Sequence, residues 1–139
     1  MKKIEKKETA TWIILDAENE ILGRLACKIS TILRGKNKIT YAPNKDTGDY
    51  VIVINAKKIK TTGNKLKNKT YYRHSGYPGH LKSVTLETML NKHPGFVLKN
   101  AVKGMLPKNK LSDIFLKKLK IYPDNIHPHS AQKPKILEN

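Results

Sequence analysis

Trp12-Ile13-Ile14-Leu15 is a short unbroken apolar run that stops at Asp16-Ala17. Apolar residues without alternation suit a strand buried on both faces. After a polar turn at Glu18-Asn19-Glu20, apolar residues recur at Leu22, Leu25, Ala26, Ile29, Ile32 and Leu33. That spacing predicts an amphipathic helix. Arg24, Lys28, Thr31 and Arg34 occupy its other faces, and Gly35 is placed to end it. Asp46-Thr47-Gly48-Asp49 carries turn chemistry, and its two acids read as local turn or cap groups. Tyr50-Val51-Ile52-Val53-Ile54 is a second continuous apolar strand. Strand, helix, strand at this spacing predicts a βαβ unit and a parallel sheet.

Beyond it the pattern is weaker. Residues 55–59 allow one helical turn. Residues 60–65 and 69–73 read as two short strands around a lysine-rich loop, and Ser75-Gly76-Tyr77-Pro78-Gly79 reads as a loop. Thr85 is placed to cap a helix through Met89 and Leu90, with Glu87 favoured in its first turn. Residues 96–106 and 111–119 are two more helix candidates. The second has an apolar stripe at Leu111, Ile114, Phe115 and Leu119, with Ser112 or Asp113 as its N-cap. Ile121-Tyr122 suits a last short strand. From Pro123 the chain is polar and proline-rich, with Ile136 and Leu137 as an apolar latch. The division is a lead-in over 1–10, an α/β domain over 11–122 and an extended tail over 123–139.

Charge changes the picture. The chain has 139 residues and a net charge of +17, from 28 Lys and Arg against 11 Asp and Glu. Residues 50–112 hold thirteen of those cations and a single acid, Glu87. A compact domain with that much like charge in one region needs a polyanionic partner, and nucleic acid fits. A pI near 10.0 with only 6% aromatics favours phosphate contact over base stacking as the main mode. No apolar run approaches the ~20 residues that span a bilayer, and the lysines do not line a basic amphipathic helix, so no membrane partner is expected. The single cysteine, Cys27, excludes an internal disulfide and reads as a small buried hydrophobe.

Catalytic chemistry finds little support. Gly63-Asn64-Lys65-Leu66-Lys67-Asn68-Lys69-Thr70 lacks the second glycine of a phosphate-binding P-loop. The first strand–turn–helix has one glycine, Gly23, and fails the dinucleotide fingerprint. His74, His80, His93, His127 and His129 have no spacing that completes a zinc set. His127 and His129 are as well suited to stack on RNA. No cofactor, metal or small-molecule substrate is expected, nor enzyme activity. The stretch 71–79 differs: it interleaves tyrosines, Arg73, His74, Ser75 and glycines. Glycine allows close backbone approach to a sugar-phosphate chain, while Arg73 and His74 can meet phosphate.

These pieces form an ordered set. WIILDAENEILGRLA (12–26), LRGKNK (33–38), DTGDYVIVINA (46–56), TGNK (62–65), YYRHSGYPG (71–79), AVKGMLPK (101–108), LKKLKIY (116–122) and HPHSAQKP (127–134) follow one another along the chain. In that order and spacing the chain resembles the large-subunit ribosomal protein L-thirteen family of bacterial and organellar type. The resemblance implies a three-layer α/β/α domain around a mainly parallel four-stranded sheet, with basic loops. It implies a non-catalytic constituent of the large ribosomal subunit that binds 23S-type ribosomal RNA and supports early assembly. Neighbouring ribosomal proteins are further implied partners. The location is the cytoplasmic ribosome of a bacterium or the ribosome of an organelle. Some relatives bind messenger RNA in regulatory roles, an alternative for the same charge. Charge and motif together nominate Lys57, Lys58, Lys60, Lys65, Lys67 and Lys69. They also nominate Arg73, His74, Ser75 and Gly76 in the 71–79 loop, and Lys99, Lys103, Lys108 and Lys110. One position and one stretch depart from the family pattern. Asn44 stands where a histidine is common. Asn109-Lys110-Leu111-Ser112-Asp113 replaces a Gly-Pro-Leu-Gly-Arg pattern, with Asp113 at a usual cation.

Overall fold

A computed structural model describes residues 10–137. The lead-in expected over 1–10 lies, except for Ala10, outside the described residues. The apolar run at the start forms β1 (Trp12–Asp16), followed by α1 (Leu22–Arg34) and β2 (Tyr50–Ile54). A 3-10 turn at Ala56–Lys58 leads to a single helical turn, α2 (Lys65–Asn68). Then come β3 (Thr70–His74), β4 (Leu81–Thr85), α3 (Leu86–Lys92), α4 (Pro94–Met105), α5 (Lys110–Lys117) and β5 (Leu119–Ile121). The tail adds a 3-10 turn at Ser130–Gln132 and β6 (Lys135–Ile136).

Four strands make one sheet in the order β5-β2-β1-β6, and each pairing is parallel. Alternation divides its side chains between two faces. Ile13 and Leu15 of β1, Val51 and Val53 of β2, and Leu119 of β5 share one core with the helices. Leu22, Leu25, Ala26, Ile29 and Leu33 bring α1 to it, Val97, Leu98 and Val102 bring α4, and Phe115 and Leu116 bring α5. On the opposite face Ile14 and Ile52 are also buried. Trp12 and Tyr50 lie on that face by alternation, stacked with ring centroids 4.4 Å apart. The covering there is the C-terminal segment, whose His129 ring lies 5.2 Å from Trp12. The third layer is thus the returning tail, with its short 3-10 turn. Burial on both sides explains why these strands read as unbroken apolar runs.

The end of α1 is fixed by two glycines. Gly35 has φ 71°, and its N–H donates to the Ile32 carbonyl at 2.9 Å. A left-handed residue costs glycine nothing at this position. Gly48 brings the 46–49 turn onto the same helix end. A Cβ on Gly48 would sit 1.7 Å from the Leu33 carbonyl oxygen.

Several expectations are corrected. Asp46 and Asp49 do not serve local turns. Asp49, 2% exposed, accepts from Lys38 Nζ at 2.6 Å and from the Thr11 N–H at 2.8 Å. Asp46 accepts from Lys118 Nζ at 2.6 Å, and the same ammonium donates to the Gly48 carbonyl at 3.0 Å. These bonds tie the loop before β2 to the end of α5. Cys27 is exposed, because the apolar stripe of α1 passes it on both sides. The cap of α5 is Asn109, whose Oδ1 accepts from the Ser112 N–H at 3.1 Å; Asp113 sits in the first turn, where the helix dipole favours it. The buried face of α5 uses Leu116, while Ile114 is exposed and Leu119 belongs to β5. The tail latch works through backbone: the Leu137 N–H donates to the Ile14 carbonyl at 3.0 Å, while the Ile136 and Leu137 side chains remain exposed.

The strand pair expected around the lysine-rich loop also differs. β3 pairs antiparallel with β4, not with residues 60–65. Lys65, Lys67 and their neighbours form α2 instead, and Lys60 makes an isolated bridge to Ile21. The loop 75–80 is therefore the tip of the hairpin. Thr85 ends β4 and begins α3, with its Oγ1 accepting from the Thr88 N–H at 3.5 Å.

Candidate nucleic-acid interface

The β3–β4 hairpin has little core of its own. Leu86 is fully buried just after it, and Tyr71 packs against the main cluster. Burial raises the phenol pKa of Tyr71 above its ordinary value. The Tyr71 ring meets Phe96 edge-on, with centroids 6.1 Å apart at 72°. Beyond this anchor, residues 72–83 are exposed. At the tip the Gly76 N–H donates to His74 Nδ1 at 2.9 Å, and Tyr77 meets His80 edge-on. Gly76 and Gly79 have φ 91° and 76°, conformations that favour glycine and form the reversal.

Arg73 and Lys82 stand directly opposite each other in the hairpin register. Both are exposed, and neither has a carboxylate partner among the described residues. Like charges placed directly across a strand pair destabilise it. They share the strand face of Tyr71 and Val84, and that face looks into a groove of about 980 Å³. Lys57, Lys92, His93 and Phe96 also line it. The first turn of α4 opens here with neither an acid nor a side-chain cap. Its N-terminal dipole adds to the positive potential.

Every nominated residue is on the surface. The fold joins Lys65 and Lys69 to Asn100 and Gly104 of α4 around a second groove of about 500 Å³. Lys69 also lies 5.5 Å over the Tyr71 ring. Lys99 shares a shallower groove with Lys120. Lys103 falls in the last turn of α4, and Lys108 and Lys110 flank the Asn109 cap. Lys57 and Lys58 differ from the others. Lys57 Nζ is 3.0 Å from Asp124, and Lys58 Nζ is 2.8 Å from Glu18. The hydrogen bond and charge of Glu18 raise the Lys58 pKa above its ordinary value. These two cations are partly neutralised at home. Lys60, Lys67, Lys99, Lys103, Lys108 and Lys110 have no carboxylate partner among the described residues.

Sequence reasoning passed over Lys82, Lys92 and Lys120. Lys82 and Lys92 have no other Lys or Arg within six residues, so neither stands out in a charge run, while Lys120 closes the short run Lys117-Lys118-Leu119-Lys120 between a helix and a strand candidate. Only the hairpin register and the groove lining place them beside the nominated cations. His127 and His129 take a structural place. Tyr122 Oη and His129 Nε2 are 2.7 Å apart, and the His129 N–H donates to His127 Nδ1 at 3.2 Å.

Comparison with known proteins decides the family. The model of "Ribosomal protein L13" matches residues 10–128. The chain belongs to this family. Three relatives named "Large ribosomal subunit protein uL13" show the extent of the likeness. The protein of Citrifermentans bemidjiense is 57% identical over 97% of this chain and 96% of its own length. That of Geobacter sulfurreducens is 53% identical over 98% and 96%. That of Wigglesworthia glossinidia brevipalpis is 56% identical over 91% and 89%. Membership in the L13 family makes the chain a structural, non-enzymatic constituent of the large ribosomal subunit. The parallel sheet expected from the resemblance is present, and no helix among the described residues is long and apolar enough to cross a membrane.

Proposed function

We propose that the chain binds large-subunit ribosomal RNA through the grooves on either side of the hairpin and along α4. The observation that carries this reading is the Arg73–Lys82 pair, two cations face to face with no carboxylate partner among the described residues. Such an arrangement costs the free protein stability and is relieved by phosphate. The rigid α/β core holds several basic elements in fixed relation: α2, the hairpin, α4 and the Lys108–Lys110 region. Binding separate RNA segments at once favours the folded RNA over its open ensemble, which is the physical content of a role in early subunit assembly. Readout is by RNA shape and phosphate position, since the A-form major groove excludes side chains. Neighbouring large-subunit proteins complete the surroundings. The bacterial relatives support a bacterial cytoplasmic ribosome as the location. A regulatory messenger-RNA role would use the same charge, and no feature of the fold favours it over the ribosomal one.

The test is a salt titration of binding to a large-subunit RNA fragment. The double variant Arg73→Gln/Lys82→Gln lowers the slope of log K against log salt by about 1.5, at ~0.7–0.9 per phosphate contact. A slope identical to that of the unmodified protein refutes the assignment.

A further inference from the structure

The groove beside the hairpin is more than a row of cations. Its floor is apolar and aromatic: Tyr71, Val84, Met89, Pro94, Phe96 and Pro123. Its rim carries Arg73, Lys82 and Lys92, with Lys57 held by Asp124. Phe96 meets Tyr71 edge-on, is 49% exposed as a residue, and lines both this groove and the shallower one beside Lys99. A duplex uses only half of such a site, because its bases are already stacked and it presents phosphates and sugars. The apolar floor would stay against water. An unpaired nucleotide uses both halves, with its base on the ring and its backbone on the cations. A volume of about 980 Å³ lies within the size range of pockets that enclose a small ligand. A basic tail of a neighbouring protein is repelled by the same rim.

Resting on the RNA-binding reading above, we propose that this groove takes an unpaired nucleotide of the RNA. The base lies against the Phe96 ring, and the flanking phosphates reach Arg73, Lys82 and Lys92. Phe96 is then a specificity residue for single-stranded over duplex segments, while the cations supply affinity to both. The two contributions separate experimentally, because stacking carries no counterion release and phosphate contact does.

The probe is a single-stranded oligoribonucleotide of about twelve nucleotides, compared with the same sequence as a duplex. Binding to the full chain is titrated with salt for the unmodified protein, Phe96→Ala and Phe96→Trp. The half-exposed position keeps the core intact in both variants, which circular dichroism checks. Phe96→Ala weakens single-strand binding about 5- to 150-fold, the range for one lost base stack. Its salt slope stays unchanged, its duplex affinity stays unchanged, and Phe96→Trp keeps the single-strand binding of the unmodified protein. Unchanged single-strand affinity in Phe96→Ala overturns the proposal, as does an equal loss on the duplex. Polyglutamate binding that depends on Phe96 where RNA binding does not also overturns it, and makes the groove a protein site. Absence of salt-dependent binding to either RNA by the unmodified protein is a different outcome: it overturns the RNA-binding reading itself.

Discussion

Lys82→Gln moves stability and RNA binding in opposite directions. In the free protein Lys82 faces Arg73 across the hairpin, and both are exposed. Removing one of two directly opposed like charges relieves roughly 0.2–1 kcal/mol. Exposure and salt screening place this pair near the lower half of that range. With a urea dependence of about 1–3 kcal/mol per molar, a relief of about 0.5 kcal/mol raises the unfolding midpoint by about 0.2–0.5 M. In the proposed RNA complex the same change deletes one phosphate contact, worth a slope of ~0.8 in log K against log salt. Between 50 and 200 mM salt, a fourfold change, one such contact contributes a factor of about three. The ratio of variant to unmodified dissociation constants therefore shrinks about threefold across that range. Urea denaturation and fluorescence-anisotropy titrations with a large-subunit RNA fragment read the two effects. A lowered urea midpoint, or parallel salt lines for the two proteins, refutes the assignment of Lys82 to an unrelieved cation pair at the RNA surface.

Other outcomes follow from the core and its ties. Asp49→Ala leaves Lys38 and the Thr11 N–H without their buried acceptor. It lowers folding stability by about 3 kcal/mol, the low end for a broken buried pair because Lys38 can turn towards water, and denaturant unfolding checks this. Gly48→Ala forces a methyl into the Leu33 carbonyl, so the variant loses the cooperative unfolding transition or shows a much lower Tm. Tyr71 titrates above ordinary tyrosine because of its burial, so the spectrophotometric titration has a late phase that Tyr71→Phe removes. The sign for stability is that of a raised pKa. The folded state holds this proton more tightly, so its stability is intact below pH ~10 and falls as pH rises further.

The first half of the fold was legible because its signals are local. The two apolar runs and the α1 stripe each sit within one segment, and Gly35 marks its own helix end. The hairpin partner was not. β4 is Leu81-Lys82-Ser83-Val84-Thr85, and three of its five residues are exposed, so alternation carries no burial signal. Thr61 and Thr62 offered equal strand propensity nearer in sequence. The ties of the 46–49 turn were hidden for another reason. Lys118 lies 72 residues from Asp46, and no local pattern reports such a pair. The candidate site was legible as charge, since Lys65, Lys67, Lys69 and Arg73 form a dense run. Its second wall, with Lys82, Lys92 and Phe96, required the fold.

Residue-resolved ultraviolet crosslinking in purified large subunits would locate the RNA on the protein surface. RNA crosslinks are expected on the hairpin and its grooves, at Tyr71, Arg73, His74, Lys82, Phe96 and Lys99. Few are expected on the exposed face of α1, around Arg24 and Lys28. Crosslinks concentrated on that α1 face, with the hairpin unmarked, would contradict the proposed RNA-binding surface.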